Sequence, residues 1–277
     1  MLQFQLLYLV KYILLLLFVF NVCSVTHLCA QNEHWDTYMV KMGSAPASVL
    51  VDMGFIETAP DRRFPFLVIT GPKTKNCTTM GLIDKEEIGV LEDMLTATGN
   101  FLTGVTPKIL VGTVTRNCER VNYYYVKDTA GVRTALNRLY THSFKDNAYV
   151  LGIRSDPEWD TYRKFLYPDE GTRNWMDNDK IITKMMQQGD SLKTARAVSF
   201  NLCFRSDTDR AGFSDYAKSK GYTVSVQNGN TGIPDMPYGI SVSAVTRINL
   251  EIINPKSSEL KVAARNYHGF YNGWEAK

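Results

Sequence analysis

The chain has 277 residues, with 31 Lys and Arg against 28 Asp and Glu, and is 44% hydrophobic and 12% aromatic. These values exclude a disordered chain, a collagen-like repeat and a polytopic membrane protein, and the length suits one large domain or two ordinary ones. A formal net charge of +3 exerts no dominant pull toward nucleic acid or acidic lipid.

The first thirty residues differ from the rest. Leu6 to Val22 is apolar apart from Lys11 and Asn21, with an unbroken apolar run over Tyr12–Phe20. Leu28-Cys29-Ala30 then precedes Gln31. A short apolar core closed by a small residue predicts a signal peptide over residues 1–30, cut after Ala30, and hence a periplasmic or secreted protein. The alternative is an uncleaved membrane anchor over residues 6–22, short for a span of about 20 residues and interrupted by Lys11. Cleavage leaves three cysteines, Cys77, Cys118 and Cys203. Export permits a disulfide, and Cys77 and Cys118 share a domain and could pair, but spacing does not establish that their Cα atoms come within range. Cys203, inside an alternating pattern, reads as a buried small hydrophobe.

Residues 33–170 read as a first domain. Trp35–Met42 and Ser48–Ile56 are predicted strands joined by a turn at Gly43 and Pro46, and Pro65–Thr70 is a short strand closed by Gly71-Pro72. Asp84 reads as a helix cap with Glu87 as the return arm of a capping box, followed by Ile88, Leu91 and Leu95 as one buried stripe. Lys108–Thr115 and Arg120–Lys127 form a predicted hairpin around Asn117-Cys118. A helix over Gly131–Thr141 turns Val132, Leu136 and Leu139 inward, and Ala148–Arg154 is a last strand. The order βββα-ββα-β predicts helices sandwiched on a largely antiparallel sheet, an α+β class. The acidic pairs Glu86/Glu87 and Glu92/Asp93 could serve as catalytic carboxylates, but acids at a helix start favour its dipole and acids opposite an apolar stripe form its solvated face. In Tyr123-Tyr124-Tyr125, alternation sends Tyr124 to one face and its neighbours to the other, which suits a core better than a stacking platform.

A family resemblance becomes visible along this stretch. Trp35…Tyr38 is followed by Pro46-Ala47-Ser48-Val49-Leu50-Val51-Asp52-Met53-Gly54, Pro65-Phe66-Leu67 and Glu86-Glu87…Leu91-Glu92-Asp93. Val111-Gly112-Thr113-Val114-Thr115, Tyr123-Tyr124-Tyr125 and Asp156-Pro157-Glu158-Trp159…Tyr162…Leu166-Tyr167-Pro168-Asp169 complete the set. Together these resemble the bacterial domain-of-unknown-function 695 family. The resemblance implies an α+β domain and no assigned activity.

Residues 168–178 read as a linker running into a helix, and residues 177–277 as a second domain. Ile181, Ile182 and Met185 give that helix an apolar side before Gly189. Val198, Phe200, Leu202 and Phe204 alternate with Ser199, Asn201 and Cys203 along a strand. Ser206 or Asp207 caps a helix carrying Phe213, Tyr216 and Ala217, which Gly221 stops. Tyr222, Val224 and Val226 line the next strand, and Asn228–Pro237 is a loop. Alternation from Val242 through Ile252 predicts one long strand. A helix is then expected from Ser257 or Ser258, with Leu260, Ala263, Ala264 and Tyr267 inward, before a final strand over Phe270–Glu275. The order α-βαββαβ predicts a ferredoxin-like arrangement.

The ending Tyr267-His268-Gly269-Phe270-Tyr271-Asn272-Gly273-Trp274-Glu275, with Gly221-Tyr222-Thr223-Val224 and Phe204, resembles the regulator of ribonuclease E activity B family. That family typically ends in an aromatic-Asp-Gly-Trp segment, and Asn272 stands where Asp is usual. The resemblance implies a non-catalytic protein that binds and inhibits a cytoplasmic endoribonuclease. Its members are often acidic, whereas residues 177–277 hold 13 Lys and Arg against 10 Asp and Glu. Trp274 and the aromatics before it suit a packed terminal strand better than a recognition patch.

Of the histidines after the leader, His34, His142 and His268, none is spaced for a helical metal site, and no Cys/His spacing suggests zinc. No G-x-S-x-G, Walker A or Rossmann pattern occurs. Asp207-Thr208-Asp209 falls at a helix start, where capping explains it. The reading is an exported, two-domain regulatory module that binds a protein partner, with no catalytic, cofactor or metal residues. The alternatives are a ribonuclease E inhibitor-like regulator and an enzyme with an unrecognised carboxylate site.

Overall fold

A computed structural model describes residues 34–228 and 231–276. The expected signal peptide and the alternative anchor lie outside the described residues. The chain divides after Arg163 into two compact units.

The first unit runs β1 (Trp35–Met42), β2 (Ala45–Asp52), β3 (Phe66–Pro72), α1 (Lys85–Thr103), β4 (Lys108–Arg116), β5 (Glu119–Val126), α2 (Val132–Ser143) and β6 (Tyr149–Ser155). The strands form one antiparallel sheet in the order β1-β2-β4-β5-β3-β6, so the predicted element order holds. Val68, Tyr124 and Val126 meet Leu102, Val132, Leu136 and Tyr140 in a dry layer between sheet and helices. Burying a side chain of this size stabilises the fold by about 1.5–3 kcal/mol. The β4–β5 turn places Asn117 at φ 50° and Cys118 at φ 60°, the two positive values that a two-residue hairpin turn requires. At the end of β3 a Cβ on Gly71 would lie 2.1 Å from the Arg120 carbonyl oxygen, so only glycine permits this backbone approach.

Two local expectations change. The second strand ends at Asp52, and Met53–Glu57 winds into a 3-10 turn whose first N–H groups need an acceptor, which Asp52 supplies. Asp84 precedes α1 but makes no side-chain capping bond, and Glu87 reaches instead to Thr74 and Asn76. The capping box is therefore absent because a tertiary partner takes the Glu87 carboxylate.

The second unit runs α3 (Glu170–Gln187), β7 (Arg196–Phe204), α4 (Asp207–Ser219), β8 (Thr223–Asn228), β9 (Tyr238–Thr246), α5 (Leu250–Asn266) and β10 (Gly269–Ala276). Its sheet has the order β10-β7-β9-β8 and is antiparallel at every pair, the split βαβ arrangement expected from the sequence. Val198, Phe200, Leu202 and Phe204 of β7 face a core shared with Phe213, Ile240, Val242, Ile253 and Leu260. Cys203 points the other way and is buried and unpaired by any disulfide, as expected.

Two expectations are corrected here. The linker over 168–178 is largely helix, because Asp169 accepts the Thr172 N–H and starts α3 at Glu170. The long strand from Val242 to Ile252 stops at Thr246. Asn249 caps α5 by accepting the Ile252 N–H at 2.9 Å, so Leu250 and Ile252 are helical and the helix begins well before Ser257. Pro255 sits inside α5.

Candidate functional site

Tyr124, Tyr125, Trp159 and Asp156 of the first unit serve its own architecture. Tyr124 lies in the helix-facing core, and Tyr125 stacks on Trp159 with centroids 4.1 Å apart. The Asp156-Pro157-Glu158-Trp159 segment forms a knot around that pair. Asp156 accepts from the Tyr125 hydroxyl at 2.7 Å, the Asp160 N–H at 2.9 Å and the Thr161 N–H at 3.0 Å. Trp159 is fully buried at φ 53° and donates its indole N–H to the Phe64 carbonyl. The Tyr162 hydroxyl donates to the Asp52 carbonyl at 2.7 Å. Burial pushes the Asp156 carboxyl up, but the hydrogen bonds from Thr161 and Tyr125 outweigh it and leave the group below the usual Asp range. Burial, reinforced by Asp156, drives the Tyr125 hydroxyl well above its ordinary value. A buried carboxylate holding three donors, beside a phenol that stays protonated, serves as a structural acceptor.

The candidate carboxylates divide in the same way. Glu87 is bound to Thr74 and Asn76, and Glu92 pairs with Arg120 at 3.0 Å, while Glu86 and Asp93 face solvent. His142 is exposed on α2, with Nδ1 2.9 Å from the Arg138 carbonyl. The His34 backbone N–H donates to Asp52.

In the second unit, polar and charged groups gather at one end of the sheet, where β7 leads into α4, β8 turns to β9 and α5 turns into β10. Ser206 caps α4 by accepting the Asp209 N–H at 3.1 Å, and its hydroxyl donates to Asp209 Oδ2 at 2.6 Å. Asp209 Oδ1 lies 3.2 Å from His268 Nδ1. The Ser206 and His268 contacts hold the Asp209 carboxyl below its ordinary range. Serine, aspartate and histidine thus meet, but in the wrong sequence for nucleophilic catalysis. The carboxylate sits between hydroxyl and imidazole, so the imidazole cannot take the serine proton. Arg210 pairs with Asp207, donates to the Gln227 and Gly239 carbonyls and lies over the Tyr238 ring, closing the ends of β8 and β9. Asp207, His268 and Phe270 remain exposed at this end of the sheet. Among the described residues no group of three or more His, Cys, Asp or Glu could hold a metal ion.

The feature that residue patterns did not reveal is a buried amide network between α3 and α5. Asn174 Nδ2 donates to Asn254 Oδ1 at 2.8 Å, and Asn178 Nδ2 donates to Ser257 Oγ at 2.9 Å. The Trp274 indole N–H donates to Asn178 Oδ1 at 2.9 Å. Trp274 is buried, as the packed-strand reading expected, whereas Phe270, which that reading also packed, is exposed. The available signal was Asn174 and Asn178 at i, i+4 in register with the apolar side of α3.

Residues 33–167 match the model of a family of unknown function, DUF695, and residues 175–276 match that of Regulator of ribonuclease activity B. The chain therefore joins a DUF695-type domain to a domain of the Regulator of ribonuclease activity B type. No curated protein matches the chain.

Proposed function

We infer that this protein is a non-catalytic regulator that works by binding a protein partner, and that it does so outside the cytoplasm. The observation that carries the first part is the second unit. Its family match over residues 175–276 supports a regulatory, protein-binding role. The polar constellations agree with it, since Asp156, Asp209 and Asn178 each serve a neighbouring element.

The extracytoplasmic part is supported by two independent features. The leader reads as a signal peptide. Cys77 and Cys118 are joined in a disulfide with Cα atoms 5.5 Å apart, and disulfides form and persist in oxidising compartments. The second reading, ribonuclease E inhibition, is what the sequence resemblance implies; the matching family's name, Regulator of ribonuclease activity B, favours a ribonuclease as partner, and the reading requires a cytoplasmic chain.

Titrating purified ribonuclease E with the purified protein separates the two readings. A flat dose-response is expected. Dose-dependent inhibition would overturn the extracytoplasmic assignment. A panel of hydrolase substrates tests the absence of catalysis, with any turnover that is lost on His142→Ala or His268→Ala counting against it.

A further inference from the structure

Residues 73–82 of the first unit form a strap between the end of β3 and Ile83. None of these ten residues is buried, whereas Ile83 beyond them is anchored against Leu91 and Met94. The strap crosses the β4–β5 turn. The Thr74 N–H donates to the Cys118 carbonyl at 2.9 Å, and the Cys118 N–H donates to the Gly81 carbonyl at 2.8 Å. Thr74 and Asn76 bind Glu87 at 3.0 and 3.1 Å, and Lys73 pairs with Glu119. Every one of these contacts is exposed or half-exposed, so water replaces them at little cost. The Cys77–Cys118 bond fastens the same two segments covalently, and both cysteines are half-buried and within reach of a thiol. No strap residue belongs to the sheet–helix core of Val68, Tyr124, Val132 and Leu136.

We propose that Cys77–Cys118 is a reducible latch, whose opening releases residues 73–82 while the six-stranded sheet and its helices stay folded. A dithiol reductant supplies the chemistry. One of its thiolates attacks a sulfur of the bond, giving a mixed disulfide and a Cys thiolate, and its second thiol then displaces the other cysteine. Two electrons and two protons pass to Cys77 and Cys118, and the reductant departs as its own disulfide. Release bares Glu87 and Glu119 and frees Lys73, Lys75 and Met80. A segment with few buried apolar contacts and solvent-exposed backbone bonds is the kind that opens locally.

Hydrogen exchange read by mass spectrometry on the full chain tests this, comparing the oxidised protein with protein held in dithiothreitol. Reduction is expected to speed exchange across residues 74–82 and at Cys118 by about tenfold or more, with β3, β5 and α2 unchanged. The Cys77→Ser/Cys118→Ser variant is expected to reproduce the pattern without reductant. Unchanged strap exchange on reduction would overturn the proposal, because the noncovalent contacts would then suffice. Loss of protection spreading through β3, β5 and α2 would overturn it equally, because the bond would then be a staple of the whole unit. Should the serine variant fail to accumulate, the dithiothreitol comparison on folded, oxidised protein decides alone.

Discussion

Asp156 concentrates more of the first unit's polar architecture than any other single side chain described above. It is 8% exposed and accepts from Tyr125, Asp160 and Thr161. In Asp156→Asn the amide cannot serve all three donors, and leaving one buried donor unsatisfied costs about 1–3 kcal/mol. Urea unfolding should register that loss at neutral pH. The pH dependence has a definite sign. Hydrogen bonds hold the folded Asp156 carboxyl below its unfolded value, so its contribution is complete above the ordinary Asp range near about 4 and disappears as pH falls through the lower folded value. Asp169, held down by the Thr172 N–H and hydroxyl, acts in the same direction. Unfolding midpoints should therefore drop on acidification in the parent and drop less steeply in Asp156→Asn. Equal acid slopes would assign the effect to other groups.

Elements join through particular residues as much as through apolar burial. Asn174 and Asn178 set how α3 lies on α5, and Trp274 ties β10 into the same network. Asn178→Ala strands the buried Trp274 N–H, while Ser257 keeps the Asn174 amide, and should destabilise the second unit by about 1–3 kcal/mol, measured by thermal or urea unfolding. The β10 strand carries a register shift between Tyr271 and Trp274, with Gly273 at φ 84°. Gly273→Ala forces a side chain into that left-handed conformation and should cost about 1 kcal/mol or more. The elements were largely legible in the sequence, because β7 alternates cleanly and α1 carries a helical stripe. Where the reading failed, a local choice competed with a longer pattern. Leu250 and Ile252 continue the alternation of β9, yet Asn249 begins a helix there. Asn174 and Asn178 interrupt an apolar stripe, and no pattern of single residues reveals that Asn254 and Ser257, some 80 positions on, receive their hydrogen bonds.

At the scale of the molecule, a covalent bond and a compartment are linked. The Cys77–Cys118 bond spans 41 positions and encloses α1 and β4. The pairing itself stood open in the sequence, because chain spacing does not bring Cα atoms together; the two-residue turn at Asn117-Cys118 and the strap do. The candidate site was less legible than the fold. Ser206, Asp209 and His268 are spread over 63 residues, and their order in space distinguishes a cap and an ion pair from a catalytic triad.

The central claim, an extracytoplasmic regulator, is tested most directly by fractionating cells and measuring the intact mass of the native protein. The account predicts a chain that begins at Gln31, is recovered outside the cytoplasm and carries the mass of one intact disulfide. A full-length chain in the cytoplasm with both thiols reduced would contradict it, and would make ribonuclease E inhibition the reading to pursue.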